Sequence, residues 1–388
     1  MSSVRTTARP SREAKSRLRR ILAAGALAST FLLPACAHAP SPSQTSASAL
    51  AGDPETATRL AARVDSLRTA ARIPGLAIVI LRDTTVILAR GFGYADLERA
   101  VLVTPETPFN IASVTKPISA VVALRLVERG LLDLDRPMTS YDGFAEFCAD
   151  VRGGGGIFFR DYECDRYRLT LRHVLSMTAN GVPGTRFFYN PPSYSWASRP
   201  MAQVSGTTFS ELTATLVFAP AGMTHSARIH RRLPLPLALA SELATPYHVD
   251  STGHVVPSDP PAPQGDGAAG GVISTAMDLA RFDIALASGR LLSLASRQAM
   301  WSAGRSPAGA VLPYGLGWFV QAYGDEPLLW HSGLWEGAYS ALYLKAPARH
   351  LTLILLANSD GLNWDNGLDE AAVQRSPFVQ AFLSTFPD

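Results

Sequence analysis

The chain has 388 residues, 47% hydrophobic and 17% charged, enough apolar material for one large domain or two packed ones. Its net charge of +3 is smaller than that of the first 20 residues, where Arg5, Arg9, Arg12, Lys15, Arg17, Arg19 and Arg20 stand against Glu13 alone. The remainder is slightly acidic, with no basic face interleaved with aromatics, which argues against a nucleic-acid partner.

The basic segment leads into an apolar run from Ile21 to Ala35. That run is too short to span a bilayer and suits the h-region of an export signal, predicted over residues 1–36. It ends Leu33-Pro34-Ala35-Cys36, similar to a bacterial lipobox with Cys36 as the lipidated residue; cleavage after Ala37 is the alternative, and Arg19-Arg20 also suits a twin-arginine signal. The expected location is therefore exported, periplasmic or in the cell envelope, with a lipid anchor to the membrane if Cys36 is modified. Residues 37–55, rich in Ser, Pro, Ala and Thr, are expected as a flexible tether to a domain over 56–388.

A helical pattern covers Ala57 to Ala71, and Leu76 to Leu81 with Thr85 to Ala89 predict a hairpin turning at Arg82-Asp83-Thr84. Gly91-Phe92-Gly93-Tyr94 is expected to break the strand. The next stretch, Phe109 to Gly130, organises the rest. Ser113-Val114-Thr115-Lys116-Pro117 is followed by Ile118, Val121, Val122, Leu126 and Val127 at helical spacing, so a helix starts near Ser113 and stops before Gly130. Serine and lysine three apart on a helix face the same way, the geometry of a serine nucleophile with a lysine base. Among 35 Lys plus Arg, only Lys15, Lys116 and Lys345 are lysine. Arginine cannot be deprotonated in a protein but a desolvated lysine can, so a lysine kept at 116 suggests a need for titration. Lys345 is expected as a solvated strand residue.

Tyr141 to Tyr167 is irregular and glycine-rich, flanked by Cys148 and Cys164, which either pair in an oxidising compartment or remain two buried thiols. Helices are expected over Leu169 to Met177, Ser195 to Val204 and Thr208 to Val217, with a turn over Pro183 to Asn190 delivering Tyr189. A helix over Ser274 to Ala287, strands over Gly315 to Val320, Leu328 to His331, Ala338 to Leu344 and Leu351 to Leu356, and a helix over Ser376 to Phe386 complete the chain. Strands at both ends with helices between imply an α+β fold, one antiparallel sheet built from the two termini with a mostly helical lobe inserted at about 135–268.

Several stretches occur together in order: Phe109-Asn110-Ile111-Ala112-Ser113-Val114-Thr115-Lys116-Pro117, Leu169 to Ser176, Pro183-Gly184-Thr185-Arg186-Phe187-Phe188-Tyr189, Gly270-Gly271-Val272-Ile273-Ser274-Thr275, Tyr314-Gly315-Leu316-Gly317-Trp318 and His331-Ser332-Gly333. With these, the chain resembles the serine β-lactamase and D-alanyl-D-alanine peptidase superfamily, in its class C β-lactamase-like, esterase-containing branch. The resemblance implies that family's antiparallel sheet and helical lobe, with Ser113 as nucleophile forming an acyl-enzyme, Lys116 as base and Tyr189 as second proton carrier. It also implies an oxyanion hole from the N–H groups of Ser113 and Leu334, and substrate contacts from Asn190, His331, Gly333 and Leu334.

Two departures stand out. The family's Tyr-x-Asn would put asparagine at Pro191, whereas here it is Asn190. His331 replaces the lysine of Lys-Thr-Gly, and a histidine of ordinary pKa is only about a quarter protonated at pH 7. The implied function is a serine hydrolase acting on a small-molecule ester or D-amino-acid peptide, with no cofactor and no metal. The alternatives are a weak β-lactamase, or a non-catalytic penicillin-binding or peptidoglycan receptor. The chain has neither a Gly-x-Ser-x-Gly elbow nor a His-Glu-x-x-His zinc motif.

Overall fold

The computed structural model describes residues 45–152, 156–164, 166–363 and 371–387. The expected export signal with Cys36, and the tether up to residue 44, lie outside the described residues. The remainder of the expected tether is helical: one helix runs Thr45–Ala70, starting well before Ala57. Among the described residues, no helix is long and apolar enough to cross a membrane.

Seven antiparallel strands form the main sheet, in the order Phe319–Tyr323, Glu326–Trp335, Tyr339–Ala346, Leu351–Ala357, Gly75–Arg82, Thr85–Asp96, Val101–Leu102. The fourth and fifth strands come from opposite ends of the chain and pair from Leu76 with Ala357 to Arg82 with Leu351. Both read as near-continuous apolar runs because both of their faces are covered. The helix Ala276–Ala287 packs on one face. The first and last helices pack together, Arg63 Nη1 donating to Ser384 Oγ at 3.1 Å, and Arg349 ties the sheet to the last helix through the Leu383 and Phe386 carbonyls.

Two expectations need correcting. The second strand continues through Gly91-Phe92-Gly93-Tyr94 to Asp96. A Cβ at Gly91 would lie 2.0 Å from Val103 O, and one at Gly93 2.0 Å from Pro74 O, so these glycines admit neighbouring backbone rather than end the strand. The strand expected from Gly315 begins instead at Phe319. Gly315 to Trp318 form a turn against the helix Thr115–Glu128, where Gly317 has φ +73° and a Cβ would lie 2.7 Å from Lys116 O.

The inserted lobe consists of short helices, including Phe144–Arg152, Leu171–Leu175, Pro191–Trp196, Ser198–Ser205 and Phe209–Thr213, the last passing into a π-turn at Ala214–Phe218. Phe144, Phe147, Phe159, Tyr162 and Trp196 form an aromatic cluster with ring centroids 5.0 to 6.1 Å apart. A disulfide joins Cys148 and Cys164, Cα atoms 6.1 Å apart, beside that cluster. A small three-stranded ribbon, Phe109–Asn110, Val272–Ser274 and Ala227–Arg228, anchors the chain just ahead of Ser113.

Candidate active site

Ser113 lies on a tight turn between the strand Phe109–Asn110 and the helix Thr115–Glu128. Ala112, just before it, has φ +46°, a left-handed conformation that costs a non-glycine residue about 1 kcal/mol. Asn110 holds this turn: its Oδ1 accepts from Ala112 N at 3.0 Å and from Trp335 Nε1 at 3.0 Å. Ala112 and Val114 are buried while Ser113 between them is partly exposed, so the hydroxyl faces outward from a rigid base.

Lys116 follows one helical turn later and is fully buried. Its Nζ lies 2.8 Å from Ser113 Oγ and donates to Ala269 O at 3.0 Å. The rings of Tyr189 and Tyr194 stand 5.0 and 5.6 Å away, and Tyr194 OH donates to Lys116 O at 3.1 Å. Among the described residues no carboxylate pairs with it. Burial alone therefore pushes its pKa well below the usual lysine range, which favours the neutral amine.

Tyr189 lines the same cavity as Ser113, and burial, opposed in part by the Ser113 hydroxyl, raises its phenol, so it stays protonated. His331 stands behind it. His331 Nδ1 is 2.6 Å from the Ser332 carbonyl, which can only accept, so Nδ1 carries the hydrogen and Nε2 accepts from Tyr314 OH at 2.8 Å. Burial pushes its pKa well below 6.5. The expected partial charge at pH 7 is thus corrected to a neutral ring, packed against Phe319 and Tyr189 rather than lining the cavity.

Asn190 is likewise corrected. Its Oδ1 accepts from Ser193 N at 2.9 Å and caps the helix Pro191–Trp196, while Nδ2 donates to Phe158 O at 2.8 Å and Asn180 Oδ1 at 2.9 Å. Every polar atom of that side chain is spent inside the lobe, and Pro191 lines the cavity instead.

The strand Glu326–Trp335 closes the other side. A Cβ at Gly333 would lie 2.2 Å from Ile111 O, so glycine lets this strand approach the serine turn. Its neighbour Phe319–Tyr323 pairs with it only as far as Trp330, so alternate backbone groups between His331 and Trp335 are free of a partner strand on that edge. Ser113, Gly333 and Leu334 share one cavity of about 380 Å³, whose walls also include Tyr189, Gln264 and Glu336.

Sequence reasoning assigned no role to Asn110, Tyr194, Ala269 or Arg228. Asn110 is in the motif around Ser113 and Tyr194 five residues after Tyr189, so both could have been suspected. Arg228 carries no such signal. Its guanidinium, 4% exposed, donates to the Gly267 and Gly270 carbonyls and lies 3.5 Å from Asp266, shaping the loop that presents Ala269 O to Lys116. Glu106, His225 and Asp278 form a group of metal-ligating types, but Arg281 pairs with both carboxylates and Asp278 also accepts from His225 N and Ser226 Oγ.

Among known proteins, the chain is 26% identical to penicillin-binding protein 4* of Bacillus subtilis over 301 residues, 71% of this chain and 66% of that protein. It is 28% identical to esterase EstB of Burkholderia gladioli over 253 residues, 55% of this chain and 62% of the esterase. The chain thus spans somewhat under two thirds of these relatives' length. In fold it resembles EstCE1, described as a hydrolase with promiscuous acyltransferase activity, with a TM-score of 0.66 at 18% identity, covering 85% of this chain and 99% of that one. The family model described as Beta-lactamase matches residues 60–376, and the chain belongs to that family.

Proposed function

We propose that this serine hydrolase of the beta-lactamase family works through an acyl-enzyme on Ser113, cleaving an ester or a D-amino-acid peptide. Ser113 Oγ bonds to the substrate carbonyl carbon as its proton passes to Lys116 Nζ. The resulting oxyanion accepts from the N–H groups of Ser113 and Leu334, and Gly333 lets that strand come close enough. The carbon–leaving-group bond then breaks, and the departing atom takes a proton relayed through Lys116 and Tyr189. Water attacks the acyl-enzyme with the same pair as base, releasing the acid and restoring the serine hydroxyl. No step requires a metal or cofactor. The observation that carries this reading is Lys116 Nζ, 2.8 Å from Ser113 Oγ in a buried setting without a counter-charge among the described residues.

Turnover of a p-nitrophenyl ester beside a Ser113→Ala control tests it: wild-type hydrolysis well above the variant is expected, and equal rates would remove the reading. Efficient β-lactam turnover is not expected, because Asn190 is spent as a cap and the described cavity residues offer no cation for a β-lactam carboxylate. Nitrocefin should be hydrolysed slowly or not at all. The composition of residues 1–36 supports export, with Cys36 as an anchoring point at the envelope.

A further inference from the structure

The cavity's charge pattern points to a class of acyl donor. Among the described residues that line it, Glu336 is the one that bears a formal charge. It is exposed and makes no hydrogen bond or ion pair with another described residue. No lysine, arginine or histidine is among the described residues that line the cavity: Lys116 and His331 are buried outside its walls, and Arg228 stays behind the Gly270 carbonyl beside Asp266. The walls also carry Tyr189, Phe319, Trp330 and Trp335, the last held by its indole N–H on Asn110. Aromatic faces beside an unpaired carboxylate attract a cationic nitrogen and repel a second carboxylate.

We infer that the cavity selects acyl donors carrying a cationic nitrogen, with Glu336 as the counter-charge, and disfavours donors with a free carboxylate. This rests on the acyl-enzyme reading of Ser113. A rim ion pair and a cation–aromatic contact together correspond to a preference of about tenfold in kcat/KM.

Three p-nitrophenyl esters of matched chain length test it: 4-(trimethylammonio)butanoate, its uncharged isostere 5,5-dimethylhexanoate, and the glutarate monoester. Their charges do not change near neutral pH, and the leaving group is common. The wild-type protein should favour the cationic ester over the isostere by about tenfold, turn over the glutarate most slowly, and lose the preference as salt is added. Glu336→Gln should bring the cationic-to-isostere ratio down to about threefold, the part left to the aromatic faces, and Glu336→Lys should bring it lower still. Both rates come from one preparation, so any loss of folded protein cancels from the ratio. A wild-type ratio of one, or a ratio that Glu336→Gln leaves unchanged, overturns the inference while leaving the Ser113 chemistry standing. Hydrolysis of all three esters no faster than by Ser113→Ala overturns both.

Discussion

Lys116 and Lys345 are two of only three lysines in the chain, and the protein treats them in opposite ways. Lys345, expected on a solvated strand, is instead 12% exposed behind the sheet, where its amine forms an ion pair with fully buried Asp283 and donates to Thr352 Oγ1 at 3.2 Å. Tyr343 OH and Thr352 Oγ1 donate to the same carboxylate, so the pair sits in a satisfied network. Lys116 is buried more deeply and meets a hydroxyl, a carbonyl and two aromatic rings but, among the described residues, no carboxylate. Burial with a counter-charge makes a strut, whereas burial without one leaves an amine suited to the proposed role of base. The partner, more than the depth, decides which.

The comparison breaks most plainly at Lys116→Met. Esterase kcat/KM should fall about 10³-fold, within the range for a positioned general base, while stability at pH 7 is retained or rises, because a buried amine with a lowered pKa is itself a cost to the folded state. A stability loss larger than that of the Lys345 variant would mean that Lys116 is a strut after all. Lys345→Met should do the reverse. Stranding Asp283 in the core should cost about 3 kcal/mol in urea or guanidinium unfolding, with activity per folded molecule retained. Retained stability there would show that Asp283 does not depend on its lysine.

A further effect is expected in the pH dependence of the Lys116 site. The folded-state pKa of Lys116 is lowered, so between that value and 10.5 the unfolded chain binds a proton that the folded one does not. Stability from this group therefore rises with pH through that window, by up to about 1.4 kcal/mol per pH unit. Unfolding measured at pH 7 to 9 should show the wild-type protein gaining on Lys116→Met as pH rises, and parallel curves would contradict a neutral amine. The acylation rate should climb with pH through the same lowered pKa, because only the neutral amine accepts the serine proton.

Legibility in the sequence followed how local the cause was. Apolar runs at Leu76 to Leu81 and Leu351 to Leu356 marked the central strands, since two-sided burial leaves an unbroken apolar stretch. Ser113 and Lys116 were visible because helical periodicity alone puts them on one face. Asn190 and His331 read as substrate contacts by position, yet their hydrogen bonds run to Phe158, Asn180, Ser332 and Tyr314. Two of those partners are in distant segments that no local pattern connects to them. The strand break expected at Gly91 failed for a similar reason: the glycines answer to Val103 and Pro74 across the sheet.

The sequence by itself determined the central strands and the serine–lysine spacing, because period and spacing act within one or two turns of backbone. Only the tertiary structure decided protonation and role. Whether an amine is a base or a strut, and whether an asparagine caps or binds, depends on which groups from distant parts of the chain surround it, and on how far they exclude water.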